Sequence, residues 1–436
     1  MGADLARFCF QGQGATATAV KQAKLRAIVP SGPSAKVFLS AGEASGDGYG
    51  AELIQVLRAR LPEIECFGLG GRRMEAAGLR CVVRAEDVAV MGITEILRHV
   101  PRIYASYRRL VGAIRRERPG VVVLIDFPDV NFRLAKVCKR MGVPVVWMVS
   151  PQLWAWKRRR LRWVRERVAK MLVIFPFEEG FYRARGVEAE FVGHPLLERA
   201  GEDVSRSEFA GRYDLDLEKR WIALLPGSRV KEVAGNLPEM LRAAAGLERE
   251  ESFEYLLPVA STLPREWMEE MMRDWAGGQP RITLVGEARA ALRHARASVV
   301  ASGTATVEAA VAGNPFVVVY RVSGLTFGLA RRLVRYPAEI GAERDAAGNL
   351  PVAMVNLIAG ERLVPELLQG RFTAEAVMRE LQPLLEDGAA RERQIVGLAE
   401  VRRRMVGDGP AIGRVAEVVL GYLGGRGGVT GGADEW

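Results

Sequence analysis

The stretch WIALLPGSRVKEV, residues 221–233, reads as a buried strand that turns directly into a helix. Gly227 allows a ligand to approach the backbone closely, and Ser228 is a residue type that caps helices. The amide groups and the dipole of the helix N-terminus favour an anion, and Arg229 adds a cation with two parallel donors. The turn predicts a phosphate or diphosphate site. The simpler interpretation is an ordinary N-cap beside a surface arginine.

The same strand-to-helix pattern recurs along the chain in two series. Continuous apolar runs alternate with helical patterns, which is typical of a parallel sheet covered on both faces. The first series has its strands at 36–42, 64–70, 121–126, 144–150 and 171–175, and the second at 221–227, 255–260, 282–286, 298–303 and 316–321. We infer two doubly wound, Rossmann-like α/β domains facing a cleft, over 36–200 and 215–390, with an irregular linker near 195–218.

The remaining segments lie outside these two domains. We expect a poorly ordered extension over 1–35, C-terminal helices over 391–424 that could cross back to the first domain, and a flexible tail over 425–436. The extension has no continuous apolar core of a secretory signal, and no run approaches the roughly 20 apolar residues that span a bilayer.

Composition narrows the class of protein. The chain has 436 residues, 49% of them apolar and 26% charged, which indicates a globular protein of more than one domain. Its formal net charge of +10 favours an anionic partner: nucleic acid, an acidic membrane or a phosphorylated substrate. The four cysteines show neither metal spacing nor a pairing pattern, so we expect reduced thiols and no metal site.

A second turn resembles the first in its chemistry. In SVVASGTATVEAAVAG, residues 298–313, Ser302, Gly303 and Thr304 open another helix, and Glu308 follows about one turn later. Glu308 could accept hydrogen bonds from a ribose diol, or it could simply favour the start of the helix. Two such turns in one domain favour a nucleotide diphosphate, although neither has the Walker A pattern.

The first domain offers carboxylates at its strand ends. The turn SAGEASGDGYGAE, residues 40–52, holds Glu43, Ser45 and Asp47, which suit sugar hydroxyls better than phosphate. In VVVLIDFPDVN, residues 121–131, Asp126 ends an apolar run, where a charge is costly unless it is used. We therefore expect Asp126 to act as a general base.

Two further segments complete the predicted acceptor region. MGITEIL, residues 91–97, reads as a short apolar loop in which Met91 and Glu95 line an apolar substrate. His194, in FVGHP, could orient a substrate. A structural histidine with satisfied hydrogen bonds explains it equally well.

The stretch SPQLWAWKRRRLRWVRERVAK, residues 150–170, combines tryptophans with dense positive charge. Leu161, Val164 and Val168 form an apolar stripe, and Trp163 lies opposite among arginines. An aromatic ring among exposed cations suits the headgroups of an anionic membrane. The alternative is that the tryptophans are core residues and the arginines a solvated face. The predicted membrane or acyl contacts are Trp154, Trp156, Lys157, Arg158, Arg159, Arg162 and Trp163.

Taken together, these turns resemble the lipid-A-disaccharide synthase family, inverting glycosyltransferases of the GT-B fold. The matching stretches, in family order between about 40 and 360, are AGEASGD, MGITEIL, IDFPDVN, SPQLWAWKRRR, FPFEEGFY, FVGHP, LLPGSR, ASGTATVEA and VNLIAG. The segment 336–354 is longer than the usual connection before VNLIAG.

The resemblance implies a specific reaction. UDP-2,3-diacylglucosamine and 2,3-diacylglucosamine 1-phosphate would give the β-1,6-linked disaccharide 1-phosphate and UDP, without a metal or another cofactor. It also implies that Asp126 and Arg229 match the essential aspartate and arginine, and that Glu308 and Asn356 lie around the UDP. The enzyme would be cytoplasmic, peripherally bound to the inner face of the cytoplasmic membrane, with a homodimer as one option.

Two alternatives stay open at this point. Another GT-B enzyme, such as a UDP-N-acetylglucosamine epimerase, would share the donor turns, but SPQLWAW argues against it. A nucleic-acid-binding module would explain the charge, but no helix-turn-helix, zinc or RNP signature is present.

Overall fold

A computed structural model describes residues 35–87, 93–199, 204–275 and 280–424. Its strands form two sheets of seven and six strands. The strands are β1 (Lys36–Ala41), β2 (Glu65–Gly70), β3 (Arg80–Arg84), β4 (Val121–Ile125), β5 (Val145–Met148), β6 (Lys170–Val173), β7 (Ala189–Phe191), β8 (Arg220–Leu225), β9 (Phe253–Pro258), β10 (Ile282–Val285), β11 (Ala297–Ala301), β12 (Phe316–Tyr320) and β13 (Glu366–Leu368).

Helices connect the strands, as a parallel arrangement requires. They are α1 (Ala44–Arg60), α2 (Arg72–Ala76), α3 (Ile93–Glu117), α4 (Pro128–Met141), α5 (Leu161–Arg167), α6 (Pro176–Arg183), α7 (Arg206–Tyr213), α8 (Val230–Leu247), α9 (Arg265–Asp274), α10 (Ala288–His294), α11 (Thr304–Ala312), α12 (Gly324–Leu333), α13 (Met354–Ala359), α14 (Ala374–Leu385), α15 (Ala389–Arg404) and α16 (Ala411–Leu423). Among the described helices, none is both long and apolar enough to cross a bilayer.

The strand order gives each sheet a topological switch point. The first sheet runs β3-β2-β1-β4-β5-β6-β7 and the second runs β10-β9-β8-β11-β12-β13. From β1 the chain builds outward through β2 and β3, whereas β4 starts the other side, and the same reversal separates β8 from β11. The pairs β1–β4 and β8–β11 are parallel. Open parallel sheets bind ligands at the carboxyl ends of such strands. We therefore expect sites beyond the carboxyl ends of β1 and β4 in the first sheet, and of β8 and β11 in the second.

Continuous apolar strands are buried because helices cover both faces of each sheet. All five residues of β4 are buried. In β8, Trp221, Ala223 and Leu225 belong to one hydrophobic cluster, and Ile222 and Leu224 to a second cluster. Successive side chains of a strand point to opposite faces, so the two clusters lie on the two sides of the sheet. The expectation of doubly covered parallel sheets is confirmed.

The chain divides into two compact units. The described parts of 1–147, 167–169 and 412–436 form the first unit, and those of 148–166 and 170–411 form the second. Within the first unit, α16 packs against Gly120, the residue that directly precedes β4. A Cβ atom added at Gly120 would come within 2.7 Å of Leu423, the last residue of α16. The segment 195–218, expected to be irregular, holds α7 instead. Ser205 and Glu208 cap that helix reciprocally.

Two backbone segments of the second unit cross in direct contact. A Cβ atom placed at Gly193 would lie 2.7 Å from the amide nitrogen of Gly407, and one at Gly407 would lie 2.6 Å from the carbonyl oxygen of Val192. The amide of His194 donates to the carbonyl of Met405 at 2.9 Å. Gly193 also has a φ of 87°, which favours glycine. The crossing therefore depends on the absence of side chains.

Candidate functional site

The first candidate site lies at the switch point of the seven-stranded sheet. Ala41, the last residue of β1, pairs with Ile125, the last residue of β4. The turn that follows β1 carries Glu43, and the turn that follows β4 carries Asp126. The ends of these two strands are therefore neighbours.

Asp126 has an unusual backbone conformation. Its φ is 44° and that of Phe127 is 48°, so two successive non-glycine residues lie in the left-handed region. The Nδ2 group of Asn131 donates to the carbonyl of Asp126 at 2.7 Å. The hydroxyl of Ser40 in turn donates to Oδ1 of Asn131 at 2.6 Å. This buried network holds the strained turn in one conformation, which is a common property of functional sites.

The electrostatics of Asp126 suit proton transfer. Burial, followed by the negative charge of Glu43, raises the pKa of its carboxyl to about 7, although a hydrogen bond from the amide of Phe127 opposes the rise. The side chain nevertheless keeps partial contact with solvent. A carboxylate with a pKa near 7 can accept a proton from a hydroxyl at neutral pH.

The neighbouring turn is shaped by close packing. The ring of Phe127 lies over Gly42, where an added Cβ would come within 2.4 Å of it. Glu43 is exposed and is the N-cap residue of α1, and Ser45 is half-buried in the first turn of that helix. Glu43 and Ser45 remain predicted acceptor contacts.

Asp47 has a different role from the one expected. Its buried carboxylate accepts hydrogen bonds from the amides of Gly71 at 2.7 Å, Arg73 at 3.0 Å and Met74 at 3.1 Å. It thereby caps α2 from outside that helix. A carboxylate used in this way is not free for sugar hydroxyls, so the expectation for Asp47 is corrected.

Two other predicted acceptor residues can be placed only in part. Met91 lies outside the described residues. Glu95 lies in the first turn of α3, so residues 93–97 are helical and not the loop that was expected.

The second candidate site lies at the switch point of the six-stranded sheet. The turn 226–229 follows β8 and the turn 302–303 follows β11, and β8 and β11 pair with each other, Leu225 opposite Val300. Gly227 has a φ of 131°, and Ser228 and Arg229 are exposed. Arg229, and not Ser228 as expected, is the N-cap residue of α8.

The donors of the first of these turns are engaged by a neighbouring carboxylate. Glu232, in the first turn of α8, accepts from the amide of Ser228 at 3.2 Å, and its other oxygen lies 3.1 Å from Nη1 of Arg229. The hydroxyl of Thr262 donates to the carbonyl of Ser228 at 2.6 Å, and Nδ2 of Asn236 donates to the carbonyl of Pro226 at 2.9 Å. The amide of Ser228 and the guanidinium of Arg229 already bind the carboxylate oxygens of Glu232, so the turn is able to bind negatively charged oxygens.

The second turn is open at Gly303. Gly303 is the N-cap residue of α11 with a φ of 148°, and a Cβ placed on it would meet no atom within 4 Å. Ser302 is half-buried and Thr304 is exposed. A hydrogen bond from within α11 stabilises the turn: the hydroxyl of Thr306 donates to the carbonyl of Gly303 at 2.7 Å.

Glu308 lies among cations. Burial raises the pKa of its carboxyl, and the positive charges of Arg199 and Arg289 lower it. These two arginines were not singled out from the sequence, since both are distant from Glu308 along the chain and no motif marks them. The cluster of one carboxylate and two guanidinium groups extends the polar surface next to the second turn.

Asn356 and His194 have structural roles. The buried amide of Asn356 donates to the carbonyl of Val364 at 3.0 Å and to Glu366 at 2.8 Å, and accepts from the amide of Val364 at 2.9 Å. His194 is buried, its Nδ1 accepts from the amide of Leu196, and burial followed by the charge of Arg199 lowers its pKa to about 3. The amide expected to contact UDP is thus used by the fold, and the histidine follows the structural interpretation.

The two tryptophans of SPQLWAW differ in their surroundings. Trp154 is only 2% exposed, and its indole N–H donates to Glu178 at 3.1 Å. Ser150 also donates to that carboxylate, at 2.6 Å, and burial raises the pKa of Glu178 to about 7. Trp156 is 45% exposed, and the ammonium group of Lys157 lies 4.0 Å from its ring centre. The expectation that Trp154 contacts a membrane or acyl chain is therefore wrong, because the residue belongs to the core.

The cationic part of that stretch is at the surface. Arg158, Arg159 and Arg162 are exposed, whereas Trp163 is half-buried beneath the guanidinium groups of Arg160 and Arg162, 5.8 and 5.9 Å from its ring centre. The predicted helical stripe is confirmed at one position, since Val164 is fully buried.

Comparison with known proteins gives a consistent result. A family model described as lipid-A-disaccharide synthetase matches residues 37–405. A lipid-A-disaccharide synthase of Acidobacterium capsulatum is 54% identical over 88% of this chain and 95% of the relative. One of Koribacter versatilis is 51% identical over 85% of this chain and 93% of the relative.

Solved structures with a similar fold are more distant in sequence. A UDP co-structure of MnaA from S. aureus has a TM-score of 0.59 at 14% identity, covering 89% of this chain and 96% of that one. The calicheamicin glycosyltransferase CalG4 has a TM-score of 0.55 at 17% identity, covering 90% and 99%. These likenesses show the two-domain α/β fold of GT-B glycosyltransferases and epimerases.

The family match extends over most of the chain and includes both switch-point turns. It decides between the alternatives that the sequence left open. The chain belongs to the lipid-A-disaccharide synthase family, glycosyltransferases that form the lipid A disaccharide in lipid A biosynthesis.

Proposed function

We propose that Asp126 is the general base of this glycosyl transfer and that the turns 227–229 and 302–304 hold the departing UDP. The donor is UDP-2,3-diacylglucosamine and the acceptor is 2,3-diacylglucosamine 1-phosphate. The base removes the proton from the 6-hydroxyl of the acceptor as that oxygen attacks the anomeric carbon. The bond from that carbon to the diphosphate breaks, and a single displacement converts an α-linked donor into a β-linked product.

The observation that carries this proposal is the state of Asp126. It is a partly exposed carboxylate at a switch point, held in a left-handed turn by Asn131 and Ser40, with a pKa raised to about 7. A base with this pKa is about half ionised at pH 7 and is still basic enough to accept a proton in the transition state. Glu43, exposed beside it, is suited to accept a hydrogen bond from the acceptor sugar.

The leaving group needs stabilisation of growing negative charge. Arg229 and the amides at the starts of α8 and α11 would supply it without rearrangement of solvent. Glu308 would contact the nucleoside, near Arg199 and Arg289. That a solved structure of similar fold is a UDP co-structure supports this placement. Glu232 has to release the amide of Ser228 and the guanidinium of Arg229 when the diphosphate binds.

The lipid substrates require contact with a membrane. Trp156, Lys157, Arg158, Arg159 and Arg162 would provide it on the cytoplasmic face, because exposed cations beside an aromatic ring are attracted to anionic headgroups. Trp163 is half-buried and would contribute less than Trp156.

The test of the base is a pH profile of UDP release with both diacylglucosamine substrates in detergent. Asp126→Asn should reduce turnover by about 100-fold or more. In the wild type, kcat/KM should rise through an apparent pKa of about 7. Glu43→Gln should move that pKa to lower pH, because it removes a negative charge that disfavours ionisation of Asp126.

The leaving-group assignment has its own measurement. Arg229→Ala should weaken UDP binding in calorimetry by about tenfold or more, as expected when a charged hydrogen bond is lost. Unchanged UDP affinity in this variant would exclude Arg229 from the diphosphate site.

The assignment of the base has a separate contrary outcome. Near-normal turnover by the Asp126→Asn variant would exclude Asp126 as the base.

A further inference from the structure

Helix α12, Gly324–Leu333, is exposed along most of its length. Leu329 and Leu333 are 55% and 56% exposed, and their spacing of four places them on the same side of the helix. Arg331 and Arg332 are exposed beside them. A helix that exposes two leucines one turn apart, together with two arginines, has the amphipathic character of segments that lie on a membrane surface.

The end of α12 is fixed to the tryptophan and arginine segment described above. The amide of Arg335 donates to the carbonyl of Ala155 at 3.2 Å. The guanidinium of Arg158 donates to the carbonyl of Arg335. The ring of Tyr336 lies 5.5 Å from that of Trp154. Both stretches belong to the second unit, so these contacts make them parts of one surface.

The charge of this surface has one sign. Residues 154–163 include five basic residues and no acidic one, and residues 324–336 include three basic residues and no acidic one. Glu339 adjoins this surface, where it pairs with Arg185 at 2.8 Å and also interacts with Arg158. Arg158 and Arg331 themselves bond to backbone carbonyls, which leaves their positive charges uncompensated by those contacts.

We propose that α12 and the segment Trp156–Arg162 form a single docking surface for an anionic lipid bilayer. Exposed leucines favour a bilayer over nucleic acid, because phosphates and bases offer them no apolar environment, whereas acyl chains do. The arginines favour an anionic bilayer over an apolar protein partner. This inference rests on the proposed contact of the Trp156–Arg162 segment with the membrane, and adds α12 to it.

The experiment is co-sedimentation of the full chain with phosphatidylglycerol and with phosphatidylcholine vesicles, at low and high salt. The double variant Arg331→Gln, Arg332→Gln should bind phosphatidylglycerol vesicles about thirtyfold more weakly at low salt, with a smaller difference at high salt. The double variant Leu329→Ser, Leu333→Ser should bind about tenfold more weakly at both salt concentrations, because it removes apolar contact and no charge.

Control variants separate the possible causes. Ile395→Ser with Val396→Ser removes residues of α15 that are 42% and 64% exposed and are not part of the proposed surface, and this variant should bind like the wild type. UDP release from detergent-dispersed substrates should be normal in both α12 variants, which establishes that they are folded.

The outcomes are distinguishable. If both α12 variants bind vesicles like the wild type, the role of α12 is refuted. Arg159→Gln with Arg162→Gln then decides separately whether the 156–162 segment binds the membrane at all. If the α12 arginine variant loses retention on duplex DNA while its vesicle binding is unchanged, the surface binds nucleic acid and the proposal fails.

Discussion

Replacing the proposed base should stabilise the protein, and the gain should depend on pH. Asp126 has a pKa of about 7, against an ordinary 3.8, because burial and Glu43 disfavour its charged form. Above about pH 8 the folded chain carries an ionised carboxylate in a site that resists it. This difference in pKa corresponds to about 4 kcal/mol of destabilisation. Since the side chain keeps partial solvent contact, we expect Asp126→Asn to recover about 2 kcal/mol.

The sign follows from proton binding. Between about pH 4 and pH 7 the folded state holds a proton on Asp126 that the unfolded state has released, so wild-type stability falls as the pH rises through this window. The asparagine variant lacks this loss. Its advantage should be about 2 kcal/mol at pH 8, less than half of that at pH 5, and close to zero at pH 4. Asparagine also tolerates the left-handed backbone, so no new strain offsets the gain.

Differential scanning calorimetry at pH 8 and pH 5 measures the effect. The unfolding temperature of Asp126→Asn should exceed that of the wild type by about 4–8 °C at pH 8. Asp129→Asn is the matched control: it removes a charge from the exposed first turn of α4 and should lose about 0.5 kcal/mol through the helix dipole. An Asp126 variant that is no more stable at pH 8, or equally more stable at both pH values, would refute the reasoning.

Three further predictions concern packing and hydrogen bonding. Gly42→Ala should lower stability by about 1–3 kcal/mol and reduce turnover, because the new methyl group displaces the ring of Phe127 beside the base. The control Gly46→Ala, whose new methyl group would have its nearest contacts at 3.4 Å, should change neither stability nor turnover. Equal unfolding temperatures of the two variants would contradict this prediction. Asn356→Ala should lower the free energy of unfolding, measured by urea denaturation, by about 2–4 kcal/mol, because three buried hydrogen bonds are lost. The same variant should bind UDP with unchanged affinity in calorimetry. Weaker UDP binding would support the contact with UDP that the sequence predicted for Asn356. Glu178→Gln should cost about 1–3 kcal/mol in the same assay, because its carboxylate accepts from three donors and an amide can serve only some of them; a stabilised variant would exclude that account.

The sequence predicted the strands best where they are apolar throughout. Residues 121–126 and 221–227 were expected to be strands, and β4 and β8 cover Val121–Ile125 and Arg220–Leu225. β3, β7 and β13 were not predicted, since each is three to five residues long and contains charged residues. In β13 the charge is Glu366, which is buried because backbone amides and Asn356 donate to it. A pattern of hydropathy cannot reveal such partners.

In the candidate site too, local patterns could be predicted from the sequence, whereas contacts between distant residues could not. The turns after β1, β4, β8 and β11 could be predicted, because a strand followed by Gly, Ser or Asp and then by a helix is a local pattern. What each polar side chain does with its hydrogen bonds could not. Asp47 caps a helix about 25 residues later, and Trp154 donates to Glu178. Such partners come together only through the fold, so sequence alone could not separate ligand-binding groups from structural ones.

The crossing of Gly193 and Gly407 has a consequence for building chimeras. At that point the atoms nearest to each glycine belong to the main chain of the other segment, and every residue has such atoms whatever its side chain. Hybrid enzymes that take one segment from a relative and the other from this chain should therefore assemble there without compensating substitutions, provided both glycines are retained. An alanine at either glycine would be incompatible with every partner, and no second-site change could accommodate it.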